Sequence, residues 1–173
     1  MYNDHAKTTA NCLIEKYGES KISFLTYSIA GVWREFLLPF FNLKSSEILK
    51  QYGEITYSQF NCLSCRASMY VYSVALCKVL GFRIISDGAR HSQGFAVELD
   101  PVLNRFRDLV NSYGIELVSP VLSLGSDWER KNELLRKELP TKVLEPQCLI
   151  GVPLPPEGTL DESIVSAVCS FFD

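Results

Sequence analysis

The sequence has no Gly-Gly pair, only two histidines and no apolar run long enough to cross a membrane. Its first residues are polar, which argues against a secretory signal peptide. The two histidines, His5 and His91, leave few nitrogen ligands for a structural zinc site. These absences predict a soluble, cytoplasmic protein with no membrane partner.

An excess of positive charge is also missing. The formal net charge is −3, so no overall basic field is present to drive nucleic-acid binding through phosphate neutralisation. Any contact with an RNA such as tRNA would therefore be local. The 173 residues are 47% hydrophobic and 21% charged, which is typical of a globular protein. We expect one domain over residues 1–173.

Six cysteines stand in a chain that lacks a secretion signal. In a reducing compartment, spaced cysteines favour metal binding, sulfur chemistry or plain core packing over disulfides. Three of them lie within apolar helical patterns, where a small core residue is the favoured interpretation. Those three are Cys12, Cys77 and Cys169. The other three are Cys62, Cys65 and Cys148.

The hydrophobic pattern alternates between strands and helices. Strands are predicted at residues 22–27, 82–85 and 115–118, and helices at residues 7–17, 46–52, 67–80 and 100–112. Residues 32–41 favour a short helix that breaks at Pro39. Capping boxes at Ser126 and Thr159 start two further helices. This order predicts an α/β fold, a three-layer parallel sheet with helices on both faces.

The end of the strand at residues 82–85 is the first candidate site. In open parallel sheets, ligands bind beyond the carboxyl ends of the strands. Asp87 offers an acceptor to a hydroxyl or Mg²⁺, Gly88 permits a tight turn and close approach of a ligand, and Arg90 offers donors to phosphate. A plain turn at Asp87 and Gly88 is the alternative. Lys131 is a further candidate for phosphate, with surface solvation as its alternative.

The second candidate is the pair Cys62 and Cys65, two thiols one helical turn apart just before the helix predicted at residues 67–80. A helix N-terminus favours the thiolate, which binds metals and sulfur. Cys148 is the natural third ligand, and three cysteines suit a [4Fe–4S] cluster with one open iron, or a redox pair with a separate thiol. A closed zinc site would need a fourth ligand, such as His91. A purely structural role for the pair is the remaining alternative.

Taken together, these segments resemble the PP-loop ATP pyrophosphatases of the adenine nucleotide alpha-hydrolase-like superfamily, in the branch related to tRNA thiolation. The resemblance covers about residues 20–150 and lies in a Cys-x-x-Cys-Arg motif at residues 62–66, a helix, an apolar strand and Asp87-Gly88. Such enzymes adenylate a carbonyl with ATP, release pyrophosphate and let a nucleophile, here a sulfur species, displace AMP.

That resemblance implies roles for individual residues. Asp87, Gly88 and Arg90 would line the nucleotide crevice, and Cys62, Cys65 and Cys148 would match the cysteines that carry a cluster in thiocytidine-forming members. The resemblance implies ATP with Mg²⁺ and a tRNA or small-molecule substrate.

The chain departs from the family in one respect, because it has no Ser-Gly-Gly-x-Asp-Ser loop to wrap the pyrophosphate. We therefore expect a fold without its first strand, weak ATP binding by this chain alone, and an exposed sheet edge. That edge predicts a homo-oligomer or a partner subunit that carries the loop. The alternatives are a non-catalytic nucleotide- or partner-binding subunit and a zinc-stabilised domain.

Overall fold

The computed structural model of the chain describes residues 3–53, 55–91, 95–141 and 162–172. The chain forms two compact units, one from Met1–Ser28 and Leu124–Cys148, the other from Ile29–Ser123 and Leu149–Asp173. None of the described helices is both long and apolar enough to cross a membrane. The expectation of one domain over residues 1–173 stays a prediction.

The predicted three-layer α/β sheet is wrong. Most of the described residues are helical, and the sheet within them has two strands. Residues 22–27, predicted as a strand, lie outside any helix or strand, with Phe24 37% and Leu25 58% exposed. A short apolar run becomes a strand only where a neighbouring strand satisfies its backbone, and the local pattern cannot supply that neighbour.

In the first unit, the described residues form two helices. Helix α1 spans Asn3–Tyr17, and helix α6 spans Asp127–Arg136. The capping box predicted at Ser126 is confirmed, since its hydroxyl accepts from the Glu129 amide and the Glu129 carboxylate accepts from the Ser126 amide. An ion pair of 2.9 Å joins Lys16, in the last turn of α1, to Glu138, two residues beyond the end of α6.

In the second unit, helix α2 spans Ala30–Asn42 and runs through Pro39, so the predicted break there is wrong. Proline removes one helical hydrogen bond, yet the residues on either side are held by packing. Leu37 and Phe40 are buried, and the Phe40 ring stacks on Phe60 with ring centroids 4.3 Å apart. Tertiary contact therefore outweighs the local penalty. Helix α3, Ser45–Tyr52, follows.

Helix α4 spans Tyr57–Leu80 and begins well before the predicted start at residue 67. Its first turn is closed by a capping box, in which Thr56 and Gln59 satisfy each other's backbone amides. Its end at Gly81 was predicted correctly, and Gly81 has the left-handed backbone (φ 76°) that glycine adopts without strain.

The sheet pairs strand β1, Ile84–Ser86, with strand β2, Glu116–Val118, in parallel. Helix α5, Asp100–Ser112, connects them after a 3₁₀ turn at Ala96–Glu98. One βαβ unit of the predicted kind is therefore present. Leu117 is buried, whereas Ile84 is 58% exposed, so the sheet presents one face to the core and one to solvent.

The core of the second unit lies between α4, α5 and the final helix α7, Glu162–Cys169. It is rich in aromatic side chains, and the Phe106 ring lies edge-on to Phe172 at 4.9 Å. Its fully buried members come from all three of these helices. They are Leu63, Val102, Phe106, Val110 and Val168. This core fixes α4 against β1.

Candidate functional site

Asp87 lies directly after β1, at the carboxyl end of the parallel strand pair. Its amide donates to the Val118 carbonyl at 3.0 Å, which extends the ladder by one residue. Its Oδ1 accepts from the Ala89 amide at 3.1 Å, a local turn that fixes the carboxylate. The loop therefore holds Asp87 where parallel sheets bind ligands.

Two side chains of α4 reach the Asp87 carboxylate. The Tyr70 hydroxyl donates to its Oδ2, and the Arg66 guanidinium lies 3.7 Å from the same oxygen. Arg66 and Tyr70 are one helical turn apart, so both project from one face of the helix. The Asp87 side chain is only 10% exposed and that of Arg66 is 22% exposed. A carboxylate so far from water is stabilised by this cation and this donor.

Burial and the hydrogen bond to Asp87 both raise the pKa of the Tyr70 phenol above its usual value, and burial is the larger cause. Tyr70 therefore stays protonated at physiological pH and acts as a donor. The Arg66 guanidinium carbon also lies 6.0 Å from the centre of the Tyr70 ring, within the range of a cation–π contact. These contacts hold the three side chains as one group.

The Asp87 carboxylate has more acceptor positions than its two hydrogen bonds occupy. Two oxygens offer about four acceptor positions; Tyr70 takes one on Oδ2 and the Ala89 amide takes one on Oδ1. By this count, acceptor positions remain on both oxygens, whereas access for a ligand stays a prediction. A Cβ built on Gly88 would meet no heavy atom within 4 Å, and its backbone is not left-handed. The predicted tight turn thus does not require glycine, whereas close approach of a ligand stays a prediction.

Cys62 and Cys65 lie on α4 beyond its first turn, both half-buried. The prediction that they precede the helix is wrong, because α4 begins at Tyr57. The helix dipole fades within the first turn, so it no longer accounts for a thiolate at these positions. The true helix instead places Cys62 one turn before Arg66.

The metal hypotheses depend on residues that the structure brings together only in part. Cys62 and Cys65 stand three residues apart on one helix, which suits two ligands of one centre, but Cys148 lies outside the described residues. Across residues 3–53, 55–91, 95–141 and 162–172, no group of three or more His, Cys, Asp or Glu side chains is arranged to hold a metal ion. The cluster stays a prediction.

His91 was the candidate fourth ligand of a zinc site. Its Nδ1 lies 3.2 Å from the Glu98 carbonyl oxygen, and its Nε2 lies 3.6 Å from the Asp100 carboxylate. Both ring nitrogens therefore face the 3₁₀ turn and the start of α5. These contacts direct both ring nitrogens of His91 toward oxygen acceptors rather than toward the two cysteines.

The remaining predicted residues divide between the units. Arg90 is half-buried in the second unit, three residues after Asp87, whereas Lys131 is exposed on α6 in the first. A phosphate-binding role for either stays a prediction. Cys77 is buried, and burial raises the pKa of its thiol, so its predicted role as a core residue is confirmed. Cys12 and Cys169 are half-buried.

A separate cleft of about 370 Å³ opens at the other end of the strands. Its lining includes Lys78 and Arg83, together with Gly81, Phe82 and Gly114. It lies before β1 and β2, whereas ligands of parallel sheets bind beyond their carboxyl ends. The Asp87 end is therefore the stronger candidate.

Sequence reasoning missed Arg66 and Tyr70 as partners of Asp87. The signal available was their spacing, since residues 62, 66 and 70 repeat every four positions and so line one face of a helix. That signal can be read only once the helix is known to begin at Tyr57.

In comparisons with known proteins, no family model, curated protein or solved structure matches this chain. The resemblance to the PP-loop ATP pyrophosphatases therefore stays a prediction that rests on the motif residues alone.

We predict that Tyr70→Phe lowers the free energy of unfolding by about 1–2 kcal/mol, because a buried carboxylate loses a donor. Tyr113→Phe is the control, since Tyr113 is 50% exposed and should change stability by less than about 0.5 kcal/mol. Urea denaturation of both variants measures this. In a double-mutant cycle with Asp87→Ala, we expect a coupling energy of about 1 kcal/mol, and additive effects would contradict the contact.

Proposed function

We propose that this chain takes part in ATP-dependent adenylation and sulfur transfer, and that it supplies the thiol-bearing side of the site. The observation that carries the proposal is the arrangement on α4. Cys62 stands one turn before Arg66, and Arg66 with Tyr70 reaches Asp87 at the carboxyl end of β1. One face of α4 thus carries a cysteine together with the two side chains that contact the carboxylate at the strand end.

Asp87 would bind the nucleotide through its remaining acceptor positions. A ribose hydroxyl suits it best, because a hydroxyl adds a hydrogen bond without displacing Tyr70 or the Ala89 amide. Mg²⁺ would instead have to compete with the Arg66 guanidinium 3.7 Å away. A hydroxyl of the nucleotide is therefore the favoured ligand of this carboxylate.

Arg66 would interact with both the Cys62 thiol and a phosphate of the nucleotide. Its guanidinium has five N–H donors, so it can contact Asp87 and still donate to a phosphate or a thiolate. Since its side chain is 22% exposed, part of it faces solvent. A cation held in this position favours the thiolate of Cys62.

Cys62 and Cys65 would hold an iron–sulfur cluster with Cys148 as the third ligand. Thiolates are the usual ligands of such clusters, and the two thiols on α4 fit that donor set. When bound, a cluster with one open iron supplies a site for the sulfur that is transferred. The chain's contribution is to hold the thiols beside Arg66.

A phosphate loop would lie outside these 173 residues, because they contain no Gly-Gly pair. Backbone amides of such a loop bind the pyrophosphate in PP-loop enzymes, and α4 and β1 do not replace them. We therefore propose that the chain acts as a subunit, with weak affinity for ATP by itself.

A non-catalytic, partner-binding subunit is the second candidate. It is favoured by the contacts of Asp87, since Tyr70, Arg66 and the Ala89 amide already surround the carboxylate. If these contacts serve only to fix α4 to β1, Asp87 is structural and the crevice takes no nucleotide. Binding measurements separate the two candidates.

Isothermal titration of the chain with MgATP tests the nucleotide site. We expect weak binding that Arg66→Ala weakens by about tenfold or more, because a charge-assisted contact to the anion is lost. Arg136→Ala is the matched control, since its side chain is 75% exposed on α6 in the other unit. No binding by the wild type, or equal affinity in Arg66→Ala, would favour the non-catalytic alternative.

Anaerobic reconstitution with iron and sulfide tests the thiol site. We expect the visible absorption of a cluster in the wild type and its loss in Cys62→Ala and in Cys148→Ala, because each removes one thiolate ligand. Cys12→Ala provides the control, as Cys12 lies on α1, outside the predicted ligand set. Equal spectra in Cys148→Ala and the wild type would remove Cys148 as a ligand.

A further inference from the structure

Strand β1 has one paired edge and one open edge. On the paired edge, the Arg83 carbonyl accepts from the Glu116 amide at 2.8 Å, and the Asp87 amide donates to the Val118 carbonyl at 3.0 Å. Backbone groups alternate direction along a strand, so the amides and carbonyls of Ile84 and Ser86 point to the other edge. Within the described parts of the chain, the sheet has no third strand at that edge.

Beside this open edge, the solvent-facing side of β1 is apolar. Phe82 is 61% exposed and Ile84 is 58% exposed, although parallel strands are normally covered on both faces. Two strands alone make a marginal sheet, whereas three or more with an apolar face are stable. An edge of this kind is a template for another strand.

We propose that β1 pairs antiparallel with β1 of a second copy of this chain, across a twofold axis at Ile85. Such an interface is isologous, so each copy uses the same residues. In this register, Ile84 of one copy lies opposite Ser86 of the other. Both residues direct their backbone groups to the edge, so each of these pairs exchanges its N–H and C=O groups. The two short sheets become one sheet of four strands.

Charge favours this register. It places the exposed Arg83 of one copy opposite Asp87 of the other, twice by symmetry. Asp87 already contacts Arg66, so Arg83 would add a second cation beside a largely buried carboxylate. A shift that sets Ile84 opposite its own counterpart would face Arg83 with Ile85 and lose both charge pairs. A parallel partner strand would not be self-complementary about a twofold axis.

The proposal does not depend on nucleotide binding, because it concerns the backbone edge of β1 and the charges at its ends. It nevertheless places the second copy's Arg83 beside the Asp87 end of the strand. A dimer formed in this way adds a cation near the carboxylate that Arg66 and Tyr70 contact.

Sedimentation equilibrium of the full chain over a range of concentrations tests the dimer. We expect a dimer whose dissociation constant rises at least about tenfold in Ile84→Lys, because two lysines meet diagonally across the axis. Leu135→Lys is the matched control, since Leu135 is 59% exposed on α6 and should leave the dimer unchanged. Circular dichroism of both variants confirms that they are folded.

Two further variants test the register and the backbone edge. Arg83→Asp places like charges opposite each other and should weaken the dimer more at low salt than at high salt. Ser86→Pro removes an edge-facing amide but keeps the ladder to β2, and should weaken the dimer as well. A wild-type chain that stays monomeric at every concentration, or a dimer that Ile84→Lys and Arg83→Asp leave unchanged, would overturn the proposal.

Discussion

The contact between the Asp87 carboxylate and the α4 side chains Arg66 and Tyr70 is the interaction on which the site depends. Asp87 is fixed to the strand by its amide and by its turn, and the two side chains fix it to the helix. Tyr70 contacts both the core and the strand end. Its ring centroid lies 5.0 Å from that of Phe106 in the core, and its hydroxyl donates to Asp87. The hydrophobic core thereby positions a polar group at the strand end.

The same helix links this junction to the two thiols. Because α4 is continuous from Tyr57 to Leu80, the spacing of Cys62, Arg66 and Tyr70 becomes a fixed spatial order along one face. A helix that began at residue 67 would have left the cysteines in a loop without a set position. The length of α4 is therefore what turns a motif in the sequence into a candidate site in space.

Local features of this chain were predictable, and features that need a distant partner were not. Gly81 and the Ser126 capping box depend on a few adjacent residues, and both were predicted correctly. Residues 22–27 have the composition of a strand but lie outside any strand, since pairing requires another segment. The pairing of Arg66 with Asp87 joins a helix to a strand end, and no local pattern specifies that contact. The predicted multi-strand sheet failed for this reason.

Protection of the thiols from alkylation tests most directly whether the α4 thiols and the Asp87 end of β1 form one site. The rates of iodoacetamide modification would be measured at each cysteine by mass spectrometry, with and without MgATP. The account predicts that MgATP slows modification at Cys62 and Cys65 but not at Cys12, and that Asp87→Asn abolishes this protection. Equal rates at Cys62 with and without MgATP would contradict it.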